Sequence, residues 1–341
     1  MKILHLFVIT LFFSLAAHAA ETDTTDEMRF LLPLSCGLGT DCWTVNYNDS
    51  DPAEGVATDY RCGSHSYDGH DGTDFAIIDQ AAMVGGVDVL SAAAGKIVRV
   101  RDEIEDHEPS ATEMEKMEEE KKGCGNGILI EHGKGWQTIY CHMKKDSTVV
   151  KPGQSVTTGQ KIGQVGQSGM AEFPHLHFGV FHDGKIIDPF TSAENTGTCS
   201  EDKEQSSLWL EGLNMDYQPF AIYAAGFGSA VPEFDNIKIN ATGSKRLPPS
   251  VEALTFWTSI FGTALGDKIT MTITDPNNNV FATRTMTQHK NRARQFYYIG
   301  KKMTGKILSP GIYKGTVTIT RNAPDGTIIS KDIEKTVTVT P

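Results

Sequence analysis

Between Asp74 and Pro189 the apolar residues come in short runs punctuated by glycine, proline and asparagine, and this rhythm constrains the fold more than any other feature of the chain. The runs are Phe75 to Ile78, Val87 to Leu90, Lys96 to Val100, Gly127 to Glu131, Gln137 to Cys141, Lys161 to Val165 and His175 to Phe181. Apolar runs of this length with such boundaries are strands. The expectation is an all-β core, barrel or sandwich. One segment breaks the rhythm: residues 101–122 carry ten acidic and four basic side chains, a capping box at Ser110 and Glu113, and a Glu118 to Lys122 pair at helical spacing. It reads as a short charged helix inserted between two strands. Its role is either a solvated excursion or a flap at the edge of a substrate groove.

The composition shifts after Cys199. Glu201 to Ser207 is polar and acidic, Lys245 to Ser250 contains a Pro-Pro pair, and from Lys268 a second set of strands begins. There Ile269, Met271 and Ile273 alternate with Lys268, Thr270, Thr272 and Thr274, Asn277 to Asn279 supplies a turn, and Val317 and Ile319 alternate with threonines. Asp325-Gly326 reads as a hairpin turn, and Val337 and Val339 close the pattern. This predicts an antiparallel β-sandwich of immunoglobulin or fibronectin type. A length of 341 residues suits two such units. The expected division is 28–199 for the first domain and 205–341 for an accessory domain read as a binding or scaffolding module.

Three features place the chain outside the cytoplasm. Lys2, the apolar stretch Leu6 to Ala17 and the small-x-small triplet Ala17-His18-Ala19 read as a cleavable signal peptide over 1–19. The apolar stretch is too short to span a bilayer, so no membrane span is expected. Cys36, Cys42, Cys62, Cys124, Cys141 and Cys199 form an even set in an exported chain, which predicts disulfides. Cys36 and Cys42 are close enough for a local loop; fifteen pairings are open in all. With 31 Lys and Arg against 43 Asp and Glu the net charge is −12, which argues against nucleic acid as a partner. The expected location is the periplasm or the medium.

The chemistry concentrates in histidines. His70-Asp71-Gly72-Thr73-Asp74 sets an imidazole and a carboxylate four residues apart, where an extended backbone lets both converge on one ion. In His175-Leu176-His177 the two imidazoles share one face of a strand and Leu176 points into the core. Tyr140-Cys141-His142-Met143 adds a third histidine at a strand end. There is no His-Glu-x-x-His helix, so a peptidase here would use histidine as its general base.

With those motifs, residues 60 to 192 resemble the lysostaphin/LytM-type zinc metalloendopeptidases that cut peptidoglycan. The resemblance extends to Val87 through Gly95, Gly125 through Gly133, Lys151-Pro152-Gly153-Gln154, Gly159 through Gly163, Gly166-Gln167-Ser168-Gly169, and Asp188-Pro189. It implies that His70, Asp74 and His177 bind one Zn2+ per chain and that His142 and His175 are catalytic. Three protein ligands leave a fourth tetrahedral position for water, whose pKa zinc brings to about 7. Two departures are visible: Cys141 stands where the family has glycine, and the 101–122 insertion is longer than the usual turn. Cys141 is read as either a disulfide partner or a further metal ligand. His65, His107, His132 and His182 are read as structural or solvated. The implied substrate is a peptide of peptidoglycan. The alternatives are a non-catalytic LytM-type activator of a cell-wall amidase, and a secreted binding protein with a closed structural zinc site.

Overall fold

The computed structural model of the chain describes residues 28–194, 197, 199, 206–323 and 326–340. The segment read as a signal peptide, residues 201–205 and Asp325 of the expected hairpin turn lie outside them.

Each of the seven short runs becomes a strand. The first half contains β1 (Cys42–Asn46), β2 (Thr73–Ile77), β3 (Asp88–Leu90), β4 (Gly95–Arg101), β5 (Asn126–Gly133), β6 (Trp136–Met143), β7 (Ser155–Val156), β8 (Lys161–Gln164), β9 (His175–His182) and β10 (Lys185–Ile186). Helix α1 (Gln80–Gly85) follows β2, and α2 (Ala111–Glu119) lies in the charged insertion. An antiparallel sheet runs β1-β2-β9-β6-β5-β4-β7, with β10 on β9 and a separate β3-β8 pair. Alternation then sorts the faces. On β9, Leu176, Phe178 and Val180 are fully buried in one core with Phe75, Ile128 and Tyr140, which leaves His175 and His177 on the opposite face.

The insertion forms its helix for the reason its sequence predicts. The Ser110 side chain accepts from the Glu113 amide and the Glu113 carboxylate accepts from the Ser110 amide. No residue of α2 is buried. Lys122 pairs with Glu120 at 2.7 Å, not with Glu118 at the expected helical spacing, because the helix has ended before it.

All six cysteines pair: Cys36 with Cys42, Cys62 with Cys199, and Cys124 with Cys141. The ligand reading of Cys141 is thereby removed, because its sulfur is already bonded.

The second half is a two-sheet sandwich. It contains β11 (Ala221–Gly228), helix α3 (Phe234–Ile239), β12 (Arg246–Leu247), β13 (Ala253–Thr263), β14 (Lys268–Thr274), β15 (Val280–Thr287), β16 (Arg292–Lys302), β17 (Gly311–Asn322) and β18 (Ile328–Val339). A sheet β11-β13-β16 covers a sheet β12-β18-β17-β14-β15. Pairing is antiparallel except between β12 and β18. Ile269, Met271 and Ile273 are fully buried between the sheets, while Thr270 and Thr272 bond outside to Thr285 and Thr283 at 3.0 and 2.9 Å. The expected all-β class holds for both halves.

The first core does not end where the composition shifts. Leu208 and Trp209 are buried in it, and Met215 and Tyr217 pack against it, all beyond residue 205. Phe30 donates to the Leu208 carbonyl and accepts from the Leu210 amide, at 2.7 and 2.9 Å. The aromatic residues after the polar stretch close the first core.

The halves also share an apolar contact. Trp43, Val45, Ala76 and Phe173 of the first meet Ala221, Tyr223, Trp257 and Phe261 of the second, on the outer face of β11-β13-β16. Asp79 ties the seam: one carboxylate oxygen caps α1 through the Ala82 amide and the other accepts from the Ala241 amide, both at 2.7 Å.

Candidate active site

Strand register lines up a row of side chains across the sheet. Asn46 on β1 lies opposite Asp74 on β2, Asp74 opposite His177 on β9, and His177 opposite Cys141 on β6. His70, just before β2, folds back onto the row. Its Nε2 is 3.1 Å from Asp74 Oδ1 and 3.1 Å from His177 Nδ1, and His177 Nδ1 is 3.0 Å from Asp74 Oδ1. The three residues are all buried. Three donors held about 2.1 Å from a tetrahedral ion stand roughly 3.3 Å apart, so this triangle has the dimensions of one face of a zinc site. Two imidazoles and a carboxylate are also a donor set that zinc accepts.

Outer partners orient each donor. A carbonyl can only accept, so His70 Nδ1 donates to Tyr47 O at 2.7 Å and its Nε2 lone pair faces the triangle. Asn46 Nδ2 donates to Asp74 Oδ2 at 2.9 Å, which leaves Oδ1 for the triangle. His177 Nε2 lies 3.2 Å from the Asp71 carboxylate, which leaves Nδ1. Gly72 makes room for this approach: a Cβ there would stand 2.6 Å from His177 Nε2 and 2.7 Å from Phe178 O. Burial opposes charge on His177, yet the hydrogen bonds to Asp71 and Asp74 raise its pKa to about 9. Burial likewise opposes the charge of Asp74, but His70, His175 and His177 hold its carboxyl well below the usual range.

The other two histidines stand beside the triangle. His142 and His175 have ring centroids 4.6 Å apart, and His175 Nε2 is 3.8 Å from Asp74 Oδ1. His142 Nδ1 donates to Ser168 O and His175 Nδ1 to Phe173 O, both at 2.8 Å, so each turns Nε2 away from its carbonyl. Burial lowers the pKa of both rings, and His175 and His177 lower that of His142 further. Both are neutral near pH 7.

A backbone irregularity delivers His142. Asn126 lies opposite Met143 and Ile128 opposite Tyr140, so two steps on β5 face three on β6. His142 has φ 59°, in the left-handed region. Tyr140 and Met143 both enter the core, which leaves Cys141 and His142 together on the cleft side. A bulge of this kind re-aims a side chain.

The five residues surround or line a cleft of about 590 Å³ whose walls include Tyr67, Met114, Met170 and Phe173. Met114 comes from α2, so the insertion edges the cleft. Glu108 of the insertion accepts from Lys238 of α3 at 2.7 Å, which ties that edge to the second half. Ala293 of β16 also lines the cleft. The second half thus forms part of the cleft wall, whereas the sequence assigned the chemistry to the first alone. Asn46, Tyr47, Asp71, Ser168 and Phe173 were not singled out as outer partners. Asp71 and Ser168 sat inside quoted motifs, but the other three carried no signal of their own.

The remaining histidines have structural partners. His132 bonds Ala94 O and Thr138 Oγ1 at 2.8 Å each, His182 stacks on Trp136, and His107 pairs with Glu113 at the surface. His65 is buried 3.2 Å from Gly262 O of the second half.

Residues 68–189 match Peptidase family M23. An uncharacterized metalloprotease of Haemophilus influenzae is 31% identical over 100 residues, 28% of this chain and 21% of that protein. Peptidoglycan DD-endopeptidase ShyA of Vibrio cholerae is 33% identical over 147 residues, 43% of this chain and 28% of that protein. The chain covers less than a third of either relative. Among solved structures, a zinc containing peptidase from Vibrio cholerae shares 27% identity over 42% of this chain and 39% of that one, with a TM-score of 0.28. The catalytic domain of lysostaphin from Staphylococcus simulans shares 24% identity over 42% of this chain and 85% of that one, with a TM-score of 0.27. The resemblance read from the motifs is borne out.

Proposed function

We propose that this chain, whose residues 68–189 are a lysostaphin/LytM-type domain of peptidase family M23, is an exported zinc metalloendopeptidase that hydrolyses peptide bonds in peptidoglycan stems or cross-links. One observation carries the reading: three buried donors 3.0–3.1 Å apart have two further histidines beside them, their ring centroids 4.6 Å from each other. A structural site would instead close on a fourth protein ligand. Among the described residues, the only other group spaced to hold an ion is Cys36, Asp41 and Cys42, whose sulfurs are bonded to each other.

In this reading His70, Asp74 and His177 hold the zinc. Zinc, when bound, supplies a Lewis acid that polarises the scissile carbonyl and acidifies a water. His142 and His175 do the proton work. Each is locked through Nδ1 to a carbonyl, so Nε2 is the atom that accepts a proton from water and, once charged, donates to the developing oxyanion or returns the proton to the leaving amine. Ser168 and Phe173 are positioning residues, because their carbonyls fix the two rings. The low-dielectric cleft keeps both rings neutral and ready to accept.

The disulfides suit an oxidising compartment such as the periplasm or the medium. No helix among the described residues is long and apolar enough to cross a membrane. The test is incubation of purified protein with peptidoglycan, with and without a chelator, followed by mass analysis of released muropeptides. Chelator-sensitive release of peptide-cleaved fragments is the expected result. Zinc-loaded protein that binds the wall but releases nothing would replace this reading with that of a non-catalytic activator.

A further inference from the structure

The charge of this chain is unevenly distributed. Against a net charge of −12, residues 276–310 contain seven Lys or Arg and neither Asp nor Glu. This stretch is β15, β16 and their flanks. None of its seven cations makes a salt bridge among the described residues. Two have other roles: Arg294 lies over the rings of Phe173 and Phe234, and Lys301 over that of Phe281. Arg284, Lys290, Arg292 and Lys302 are exposed.

Arg284 lines a groove, and Lys290 and Arg292 follow His289 of its wall in sequence. β15 pairs only with β14 and β16 only with β13, so each strand has one unpaired edge among the described residues, and they belong to different sheets. Between them lies an open groove of about 730 Å³, lined by Thr283, Arg284, Thr285, His289 and Tyr298 among others. Strand β16 contributes to both this groove and the active-site cleft: Ala293, between Arg292 and Arg294, lines the cleft, and Phe296 to Gly300 line the groove. Phe296 lies three residues along the strand from Ala293, so the groove begins about 10 Å along β16 from the cleft.

We propose that this groove binds the carboxylate-bearing stem peptides that flank the bond held in the cleft, so that the second half of the chain grips intact peptidoglycan beside the scissile site. This inference rests on the proposed function for the identity of the polymer. Free carboxylates of stem peptides complement unpaired Arg and Lys, and the groove's threonine hydroxyls and strand edges offer hydrogen bonds to an extended chain. The negative charge elsewhere opposes adhesion of an anionic polymer at other faces, so the basic β15–β16 segment sets the orientation.

The test uses the full chain with Arg284, Lys290 and Arg292 replaced together, as R284Q/K290Q/R292Q and as R284E/K290E/R292E. If the charge-reversed protein does not fold, the glutamine variant carries the measurement. Cosedimentation with purified sacculi at low salt should weaken about tenfold in the glutamine variant, the sum of three exposed charge contacts, and further on reversal. The salt dependence should flatten, and poly-glutamate should compete where neutral chitin oligosaccharides do not. Cleavage of a short soluble stem peptide should be unchanged. Sacculus binding equal to that of the parent, or competition by the neutral glycan alone, would overturn the inference. If neither protein cleaves the peptide but binding still falls in the variant, the groove stands and the peptidase reading fails.

Discussion

His142 and His177 lie on one wall of the same cleft, yet they have different partners, and substitution should separate them. His177 Nδ1 belongs to the donor triangle, so His177→Ala should lose the bound zinc by elemental analysis. His142 touches no member of the triangle through a ring nitrogen, and its bond goes to Ser168 O. His142→Ala should therefore keep most of its zinc while peptidoglycan hydrolysis falls by roughly 10²-fold or more. Equal hydrolysis by variant and parent would make His142 structural. Asp188 offers a test of stability at the same scale. Burial raises its pKa to about 7, its Oδ1 accepts from the Phe190 amide, and its Oδ2 has no partner. The folded value lies above the unfolded one of about 3.9, so its contribution is fully present below about pH 4 and lost as pH rises through 7. Asp188→Asn removes that titration. The variant should gain stability relative to the parent as pH rises from 4 to 7, by at most about 4 kcal/mol in urea unfolding. A difference that stays constant across that window would show that Asp188 ionises normally.

At the scale of elements, the bulge in β6 and the disulfide beside it act together. Cys141 precedes His142, and its partner Cys124 supplies the carbonyl that accepts from the His142 amide at 2.8 Å. The bond closes a 17-residue separation, which corresponds to about 3 kcal/mol of stabilisation in the chain-entropy account. Replacing both cysteines by alanine should lower unfolding free energy by about that amount. It should also lower turnover more than zinc content, because the bulge that aims His142 loses its tether while the triangle on β2 and β9 keeps its register. Unchanged turnover in the double variant would mean that the carbonyls of Ser168 and Cys124 suffice to hold the histidine. The charged insertion works differently. Its capping box makes α2 a helix without any buried residue, and Met114 then borders the cleft.

For the whole molecule, the decisive contacts are those that cross the apparent boundary. A chain ending at Ser200 loses Leu208 and Trp209 from the first core, together with Met215 and Tyr217 beside it. Emptying a buried tryptophan site alone costs about 3–5 kcal/mol, against a total stability of about 5–15. Such a chain should show no cooperative thermal unfolding. A chain ending at Gln218 keeps that core but exposes Trp43 and Phe173, which Phe261 and Tyr223 cover in the full protein. It should fold with a lower melting temperature and cleave a small peptide less well, since Phe173 O holds His175. Parent-like peptide cleavage by the shorter chain would limit the second half to binding intact wall.

The residue pattern alone determined seven of the ten strands of the first half, the capped helix of the insertion and the grouping of His70, Asp74, His175 and His177. Those features depend on local periodicity: a two-residue repeat puts both histidines of β9 on one face whatever the rest of the chain does. The same repeat would send His142 to the core with Tyr140. Only the bulge against β5, a matter of how two strands pair, turns it into the cleft. The outer partners belong to the tertiary structure for the same reason. Asn46 reaches Asp74 because β1 is the neighbour of β2, and Tyr47, Ser168 and Phe173 contribute backbone carbonyls, which every residue has and no side-chain pattern marks. The contact between the halves is a third case: adjacent apolar pairs such as Phe256-Trp257 and Ile260-Phe261 mark β13 as buried on both faces, but only the tertiary structure decides that Trp43 and Phe173 cover the outer one.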